Sequence, residues 1–337
     1  MNLGVVIVSY NVRELLRACL QSVYEDAART PGLEATIVVV DNASADGSAA
    51  MVAEEFPLVH LVASQENLGF ARGNNVGLKL LGFGEDGPRK NAKGQREENV
   101  RGQRAERGQR PEAVLLLNPD TELQPGALAA LTGFLQEHPR AGGCCPRLNY
   151  GDGSFQHSAF HFPGLAQLTL DLYPVPRLMD TRFNGRYPRR LYDGDKPFPV
   201  DFALGAALMV RAEAIDAAGL LDENYFMYAE EMDWQQRIQQ TGWSIYCVPT
   251  ARVTHYEGQS ARQFRRAMTV ALWRSRLRYY SKYHPAWKQR MERWLIARAM
   301  KQRLAQARAA LAEGEGDVDE LRDQIAAYEE ILDLLRK

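Results

Sequence analysis

Ala113-Val-Leu-Leu-Leu-Asn-Pro-Asp-Thr121 decides how the rest of this 337-residue chain is read. Five apolar residues bounded by turn formers predict a short strand buried on both faces, as in a parallel sheet covered by helices. Asp120 then falls just past the carboxyl end of that strand, where open α/β sheets bind their ligands. A carboxylate there suits Mg²⁺ or Mn²⁺, hard cations that take oxygen ligands and complete their shell with water and substrate phosphates. Asn-Pro-Asp-Thr is also a good turn and helix-start sequence, so the neighbouring segments carry the decision.

Toward the N-terminus, continuous apolar runs at 3–8, 35–40 and 58–63 alternate with stretches of helical periodicity. Such alternation predicts βαβ units and a parallel sheet. The first helix, about 12–24, puts Leu15, Leu16, Cys19, Leu20 and Val23 on one face, and the second starts at Ser44 or Asp46 and ends before Pro57. Asp41 stands at the carboxyl end of the second strand. The first strand-to-helix turn, Ser9-Tyr10-Asn11-Val12, has no G-x-G-x-x-G, which argues against a dinucleotide fold, and no Gly-rich basic loop of the kind a nucleotidyltransferase needs. Asn67-Leu-Gly-Phe-Ala-Arg-Gly-Asn-Asn75 opens a third helix. The planar fork of Arg72 suits a base edge or a phosphate oxygen; the plain alternative is a helix start with a solvated arginine.

Residues 84–112 interrupt this rhythm with a degenerate basic repeat, Lys93-Gly-Gln-Arg96, Arg101-Gly-Gln-Arg104 and Arg107-Gly-Gln-Arg110. So few apolar positions cannot offset chain entropy, and the segment reads as a flexible surface insertion. Residues 150–199 are turn-rich and aromatic, the kind of long irregular segment that builds binding surfaces on α/β scaffolds. A strand is expected at 200–210, a helix at 231–241, strands at 243–248 and 251–255, and helices from 261 to the end, broken at Pro285 and around 314–317.

Asp222, Glu223, Glu230, Glu231 and Asp233 crowd among aromatics where the 231–241 helix begins. Acids favour a helix N-terminus, which accounts for part of the cluster. A sugar hydroxyl attacking an anomeric carbon must also lose its proton, and a carboxylate whose basicity burial has raised is the simplest acceptor. His255 ends the last strand, placed to bring an imidazole to the same cation as Asp120.

An apolar content of 45% and a formal charge of -1 describe a soluble globular chain with uneven charge. Residues 259–308 hold fourteen Lys and Arg against one acid, while 309–337 hold three bases against nine acids. Basic residues over 262–308 interleave with Trp273, Tyr279, Tyr280, Tyr283, Trp287 and Trp294. Such a helix lies on an anionic membrane or packs as an ordinary amphipathic helix; nucleic acid is disfavoured because no recognition motif accompanies the charge. The acidic end forms a hairpin with the basic helix or pairs between two subunits as a homodimer. Cys19, Cys144, Cys145 and Cys247 show no metal or disulfide spacing and read as buried thiols. Without a leader pattern or an apolar run of about 18 residues, the expected location is cytoplasmic, peripheral to the inner face of the membrane.

Taken in order, Val8-Ser-Tyr-Asn11, Val40-Asp-Asn-Ala-Ser44, the Asn67 to Arg72 segment, Leu117-Asn-Pro-Asp120, Gly205-Ala-Ala-Leu-Met-Val-Arg211, the 222–234 acidic segment and 255–260 resemble the family 2 glycosyltransferases, in their rhamnosyltransferase-like branch. The resemblance spans about residues 3–260. It implies a GT-A fold: a Rossmann-like, mixed but mostly parallel α/β sheet flanked by helices, with a catalytic unit over 1–260 and a helical extension over 261–337. It implies inverting transfer from a nucleotide-diphospho-sugar to a glycan or polyprenyl-linked acceptor, with Mg²⁺ or Mn²⁺ on the diphosphate. Carried over residue by residue, Asp41 and Arg72 hold the nucleobase beside Ser9 and Tyr10. Asn118 and Asp120 occupy the family's Asp-x-Asp position, with Asp120 and His255 as metal ligands. Glu230-Glu231 stands where the family has Glu-Asp, so the base is Glu231, Glu230 or Asp233. A non-catalytic glycan-binding relative is the alternative, disfavoured because Asp120, Glu231 and His255 are all retained.

Overall fold

The computed structural model describes residues 1–84, 110–256 and 265–336. Most of the basic insertion expected at 84–112, and the 257–260 part of the last motif, lie outside the described residues. The first half alternates as expected: β1 (Asn2–Ser9), α1 (Arg13–Arg29), β2 (Glu34–Asp41), α2 (Ser48–Glu55), β3 (His60–Ala63), α3 (Gly69–Leu80) and β4 (Ala113–Leu117). There follow β5 (Thr121–Leu123), α4 (Ala127–Glu137), β6 (Ala141–Asn149), β7 (Phe155–Gln156), β8 (Ala159–Phe160), α5 (Leu165–Leu172), and two single-turn helices, α6 (Pro176–Met179) and α7 (Arg189–Tyr192). The rest is β9 (Phe198–Val200), β10 (Phe202–Ala203), β11 (Ala207–Arg211), α8 (Ala212–Ala218), α9 (Glu230–Gln240), β12 (Ser244–His255), α10 (Arg265–Tyr283), α11 (Ala286–Glu313) and α12 (Val318–Leu334).

The main sheet runs β3-β2-β1-β4-β11-β6-β12-β5. β1, β2, β3 and β4 are mutually parallel, whereas β11 enters antiparallel between β4 and β6. Strand alternation splits the core. Val5 and Ile7 face one side with Leu16 and Leu20 of α1, and Val6 and Val8 face the other with Leu78 of α3 and Trp234 of α9. Full burial of each such side chain contributes about 1.5–3 kcal/mol, which fixes the register because a one-residue slip would exchange the faces. On the second face α3 approaches unusually closely: a Cβ on Gly77 would stand 2.4 Å from Val6, and one on Gly73 2.8 Å from Val8.

The second helix begins at Ser48, behind a left-handed Gly47, rather than at Ser44 or Asp46, and three other differences from the sequence expectations are larger. The strand expected at 200–210 is three short strands, because Asp201 accepts a hydrogen bond from the Phe162 N–H at 3.0 Å and its backbone N–H donates to the Tyr187 hydroxyl, turning the chain between sheets. The two strands expected at 243–255 are the single strand β12, with an irregularity between Val248 and Arg252. Third, the aromatics of 262–308, for which a membrane face and ordinary packing both stood open, divide between core and exposed surface. Trp273, Tyr279 and Tyr280 are buried in a third cluster with Leu168, Tyr225, Met232, Ile296 and Ile331.

That cluster binds the C-terminal helices to the body of the protein. The expected breaks occur at Pro285 and at Gly314, a left-handed C-cap with φ 72°, and Asp317 then caps α12 by accepting from the Asp319 and Glu320 N–H groups. Arg293 donates to the Leu335 carbonyl and Arg308 pairs with Glu329 at 2.6 Å, so α11 and α12 form an antiparallel hairpin within one chain. All four cysteines are buried and free. No described helix is long and apolar enough to cross a membrane.

Candidate active site

β1 is flanked by β2 on one side and β4 on the other, so successive connections leave it in opposite directions and open a crevice at the carboxyl ends. A cavity of about 300 Å³ lies there, bordered by Ser9, Tyr10 and Asn42 at one end and by Asn118, Asp120, His255, Glu230 and Glu231 at the other.

Asp120 and His255 meet because β5, which directly follows Asp120, pairs with the end of β12, opposing Thr121 to His255. The His255 Nε2 lies 3.5 Å from the Asp120 Oδ1, and both residues are buried. Gln156 of β7 sets the imidazole: Nδ1 lies 3.2 Å from its Oε1, and the tautomer that donates there leaves the Nε2 lone pair turned toward the carboxylate. Two acceptors facing one another are stable only with a proton or a cation between them. The pair therefore fits a divalent metal. No cluster of three or more His, Cys, Asp or Glu suited to a metal occurs among the described residues. A cation held by these two groups would draw its other ligands from water and phosphate oxygens.

At the other end Ser9 and Asp41 are register partners on β1 and β2. The Ser9 Oγ, Asp41 Oδ1 and Asn42 Oδ1 are buried without a hydrogen-bond partner among the described residues, a row of polar atoms that suits a polar ligand. Ser9 and Asn42 line the cavity; Asp41 sits between them, its other oxygen accepting from the Ser44 N–H at 2.9 Å. Arg72 is not brought there. Its turn of α3 buries Ala71 and Gly73 and points the arginine outward, 3.7 Å from Glu66.

The acids separate into two groups. Glu230 and Glu231 open α9 and line the cavity, each with one oxygen, Oε2, unpartnered among the described residues. Burial pushes Glu231 up to about 7, against the pull of the backbone N–H groups of the first turn. Burial, aided by the charge of Glu231, pushes Glu230 well above the usual carboxylate range. Of the two, Glu231 is the carboxyl whose raised value lies near neutrality, the range that suits proton exchange at ordinary pH. Asp233, the third candidate base, lies outside the cavity lining: it is fully buried, salt-bridged to Arg237 at 2.9 Å and to Lys282, with hydrogen bonds from Tyr283 and Tyr225 at 2.9 and 3.3 Å. Those partners turn it toward α10.

Local structure aims Glu231. Tyr228 and Ala229 both take left-handed φ values, 69° and 65°, just before the helix. For residues with a Cβ that conformation costs about 1–2 kcal/mol each and persists only when the surroundings enforce it. The enforcement is visible. Ser275 of α10 donates to the Met227 carbonyl at 2.7 Å, Arg278 pairs with Asp222 at 2.7 Å, and Gln235 bonds both the N–H and the carbonyl of Ala203. Gly69, with φ 74°, lets the start of α3 dock on the same loop; a Cβ there would stand 2.3 Å from the Phe226 carbonyl oxygen. Gln156, Gln235 and Ser275 were not found by sequence reasoning. Each acts through a contact distant in the chain, and none stands in a motif.

The sequence matches the family described as "Glycosyltransferase like family 2" over residues 2–272. The N-acetylglucosaminyl-diphospho-decaprenol L-rhamnosyltransferase of Mycobacterium tuberculosis, in two strains, is 27% identical over 262 residues, 77% of this chain and 79% of that protein. Among solved structures, GalNAc-T7 with UDP, GalNAc and Mn²⁺ superposes with a TM-score of 0.56 at 16% identity, over 98% of this chain and 54% of its own, so the chain spans about half the length of that protein. The mannosyltransferase PcManGT from Pyrobaculum calidifontis, in complex with GDP-Man and Mn²⁺, superposes with a TM-score of 0.52 at 18% identity, over 99% and 84% of the two chains. At such identities the structural likeness speaks for a shared fold, the GT-A fold. Because the family match runs through the whole sheet, the cavity and the start of α10, the chain belongs to glycosyltransferase family 2 and is a glycosyltransferase.

Proposed function

We propose that this enzyme moves a sugar, rhamnose by the likeness to the mycobacterial protein, from a nucleoside-diphosphate donor to a sugar carried on a polyprenyl diphosphate, inverting the anomeric centre. The observation that supports it most is that a metal-suited pair, Asp120 and His255, and an orphaned carboxylate raised to about 7, Glu231, open onto one cavity. In this reading Ser9, Tyr10, Asp41 and Asn42 take the nucleoside, while Asn118 and Asp120 stand at the diphosphate. Glu231 accepts the proton of the acceptor hydroxyl as its oxygen bonds to the anomeric carbon. The bond from that carbon to the diphosphate breaks on the opposite face, and the nucleoside diphosphate leaves with the electron pair. A bound Mg²⁺ or Mn²⁺ would offset the charge developing on that leaving group. Residues 1–260 form the catalytic unit in this reading.

The deciding experiment is a transfer and donor-hydrolysis screen of nucleotide sugars with Mg²⁺ or Mn²⁺, with and without chelator, on the wild type, Asp120→Ala and Glu231→Ala. Metal-dependent turnover in the wild type and its loss in both folded variants is expected. Full activity in either variant removes that residue from the mechanism, and nucleotide binding without turnover would point to a glycan-binding relative.

A polyprenyl acceptor also places the enzyme at the cytoplasmic face of a membrane. Support comes from α11, whose outward face exposes Trp287, Met291 and Trp294 at 55%, 47% and 61% beside Arg290, Arg298 and Lys301. Its acid Glu292 is turned inward, 2.6 Å from His284. An aromatic and basic face of this kind suits an anionic lipid interface. Sedimentation with anionic vesicles at low salt, weakened several-fold in Trp287→Ser/Trp294→Ser, checks it; no sedimentation of the wild type defeats it.

A further inference from the structure

A second cavity, of about 690 Å³, adjoins the first, and the two share Phe226 and Met268 as a common wall. Its far side is α10, from which Arg266, Arg274 and Arg278 face it with helical spacing. The carboxylates of α12 that border it are Glu330 and Asp323.

The arginines are incompletely satisfied by those acids. Arg266 and Arg274 both turn to Glu330, at 3.9 and 3.4 Å, beyond the length of a direct hydrogen-bonded fork in the first case and at its limit in the second. Arg278 gives its Nη2 to Asp222 at 2.7 Å, while its buried Nε has no partner among the described residues. Planar donors that outnumber the oxygens facing them suit an anion with several oxygens, and phosphate groups match guanidinium geometry best. We infer that this second cavity holds the diphosphate of the acceptor, gripped by Arg266 and Arg274 with Arg278 behind them.

The inference rests on the acceptor reading above, and the shared wall supplies its geometry. In a sugar diphosphate only the sugar ring separates the attacking hydroxyl from the phosphate. A ring laid on Phe226, an aromatic that is 44% exposed between the two cavities, would send its hydroxyl toward Glu231 and its phosphates toward α10. The apolar face of a sugar ring packs well on an aromatic face, and the exposed phenyl offers one. Glu330 then serves as a stand-in for the anion, releasing the arginines when the acceptor enters.

The test uses the full chain and a soluble short-chain alkyl diphosphate, with the parent alcohol and a nucleoside diphosphate as the other arms, by titration calorimetry. In Arg266→Gln/Arg274→Gln the alkyl diphosphate is expected to bind about 10- to 100-fold more weakly, with nucleoside diphosphate affinity and the circular dichroism spectrum unchanged. Glu330→Gln, which removes only the internal competitor, is expected to tighten alkyl diphosphate binding, an effect a merely structural role for the arginines would not give. Equal weakening of both diphosphates would assign the arginines to the donor and overturn the inference, as would unchanged binding in the double variant or weaker binding in Glu330→Gln. Binding is read without turnover, so an inactive transfer assay leaves this outcome legible. Where transfer is measurable, the acceptor KM rises by the same factor at constant donor KM.

Discussion

The first turn of α9 presents two faces, and the acids on them have opposite fates. On the cavity side Glu230 is buried and Glu231 partly buried, each with one oxygen unpartnered among the described residues, and desolvation raises both. On the far side Asp233, two residues along, is fully buried but meets Arg237, Lys282, Tyr225 and Tyr283. Depth alone therefore does not make a carboxylate a base. What distinguishes the faces is whether cations arrived with the fold: α10 brings them to one side, whereas no Lys or Arg is among the described residues lining the cavity.

Glu231→Gln should sharpen this contrast most. It keeps the shape and removes the proton acceptor, so kcat is expected to fall by about 10²–10⁴ while the fold persists, read by steady-state transfer and thermal melting. Asp233→Asn should do the reverse. Stranding Lys282 and Arg237 beside a neutral amide is expected to cost about 3–5 kcal/mol of stability, measured by urea unfolding. A loss of turnover without loss of stability would break the division between the faces.

The pH dependence follows the same line. Glu231 has a folded value of about 7, above its ordinary 4.5, so its neutral form favours the fold. That contribution is complete below the ordinary carboxylate range and is lost as pH rises through about 7. Catalysis has the opposite sign, because the base must be ionised: kcat/KM is expected to climb with pH through the same window. Glu231→Gln should flatten the stability curve between about pH 4.5 and 7; an unchanged curve would separate the carboxyl from the effect. The smallest expected change belongs to Tyr283→Phe, which removes one of several bonds to Asp233 and should cost about 0.5–1.5 kcal/mol without moving the activity profile.

Much of this architecture is legible in the sequence because it is local. The run at 113–117 is a buried strand for the same reason that it reads as one, and Asp120 follows it at the crevice because a parallel sheet permits no other exit. Helix ends at Pro285, Gly314 and Asp317 are equally local in origin. What the sequence could not give is direction around an axis and contact across the chain. Arg72 stands in a motif, yet its place on the turn of α3 turns it to solvent. Asp233 looks like an equal of Glu231 until α10, fifty residues later, supplies Lys282 and Tyr283. The aromatics of 262–308 looked alike and divide: Trp273 packs inward while Trp287 and Trp294 stand outside.

The grip of α10 on the loop before α9 bears on how such enzymes diversify. Ser275, Arg278 and Lys282 reach to Met227, Asp222 and Asp233, so this helix helps mould the loop that carries Glu231, the proposed base. A chimera exchanging everything after β12 with that of a relative would retain the Asp120–His255 pair and the Ser9–Asp41 edge but mis-set Glu231 unless Asp222 and Asp233 travelled with the graft. New acceptor preferences would then arise by drift in the outward faces of these helices, while their inward face stays under the constraint of the reaction itself.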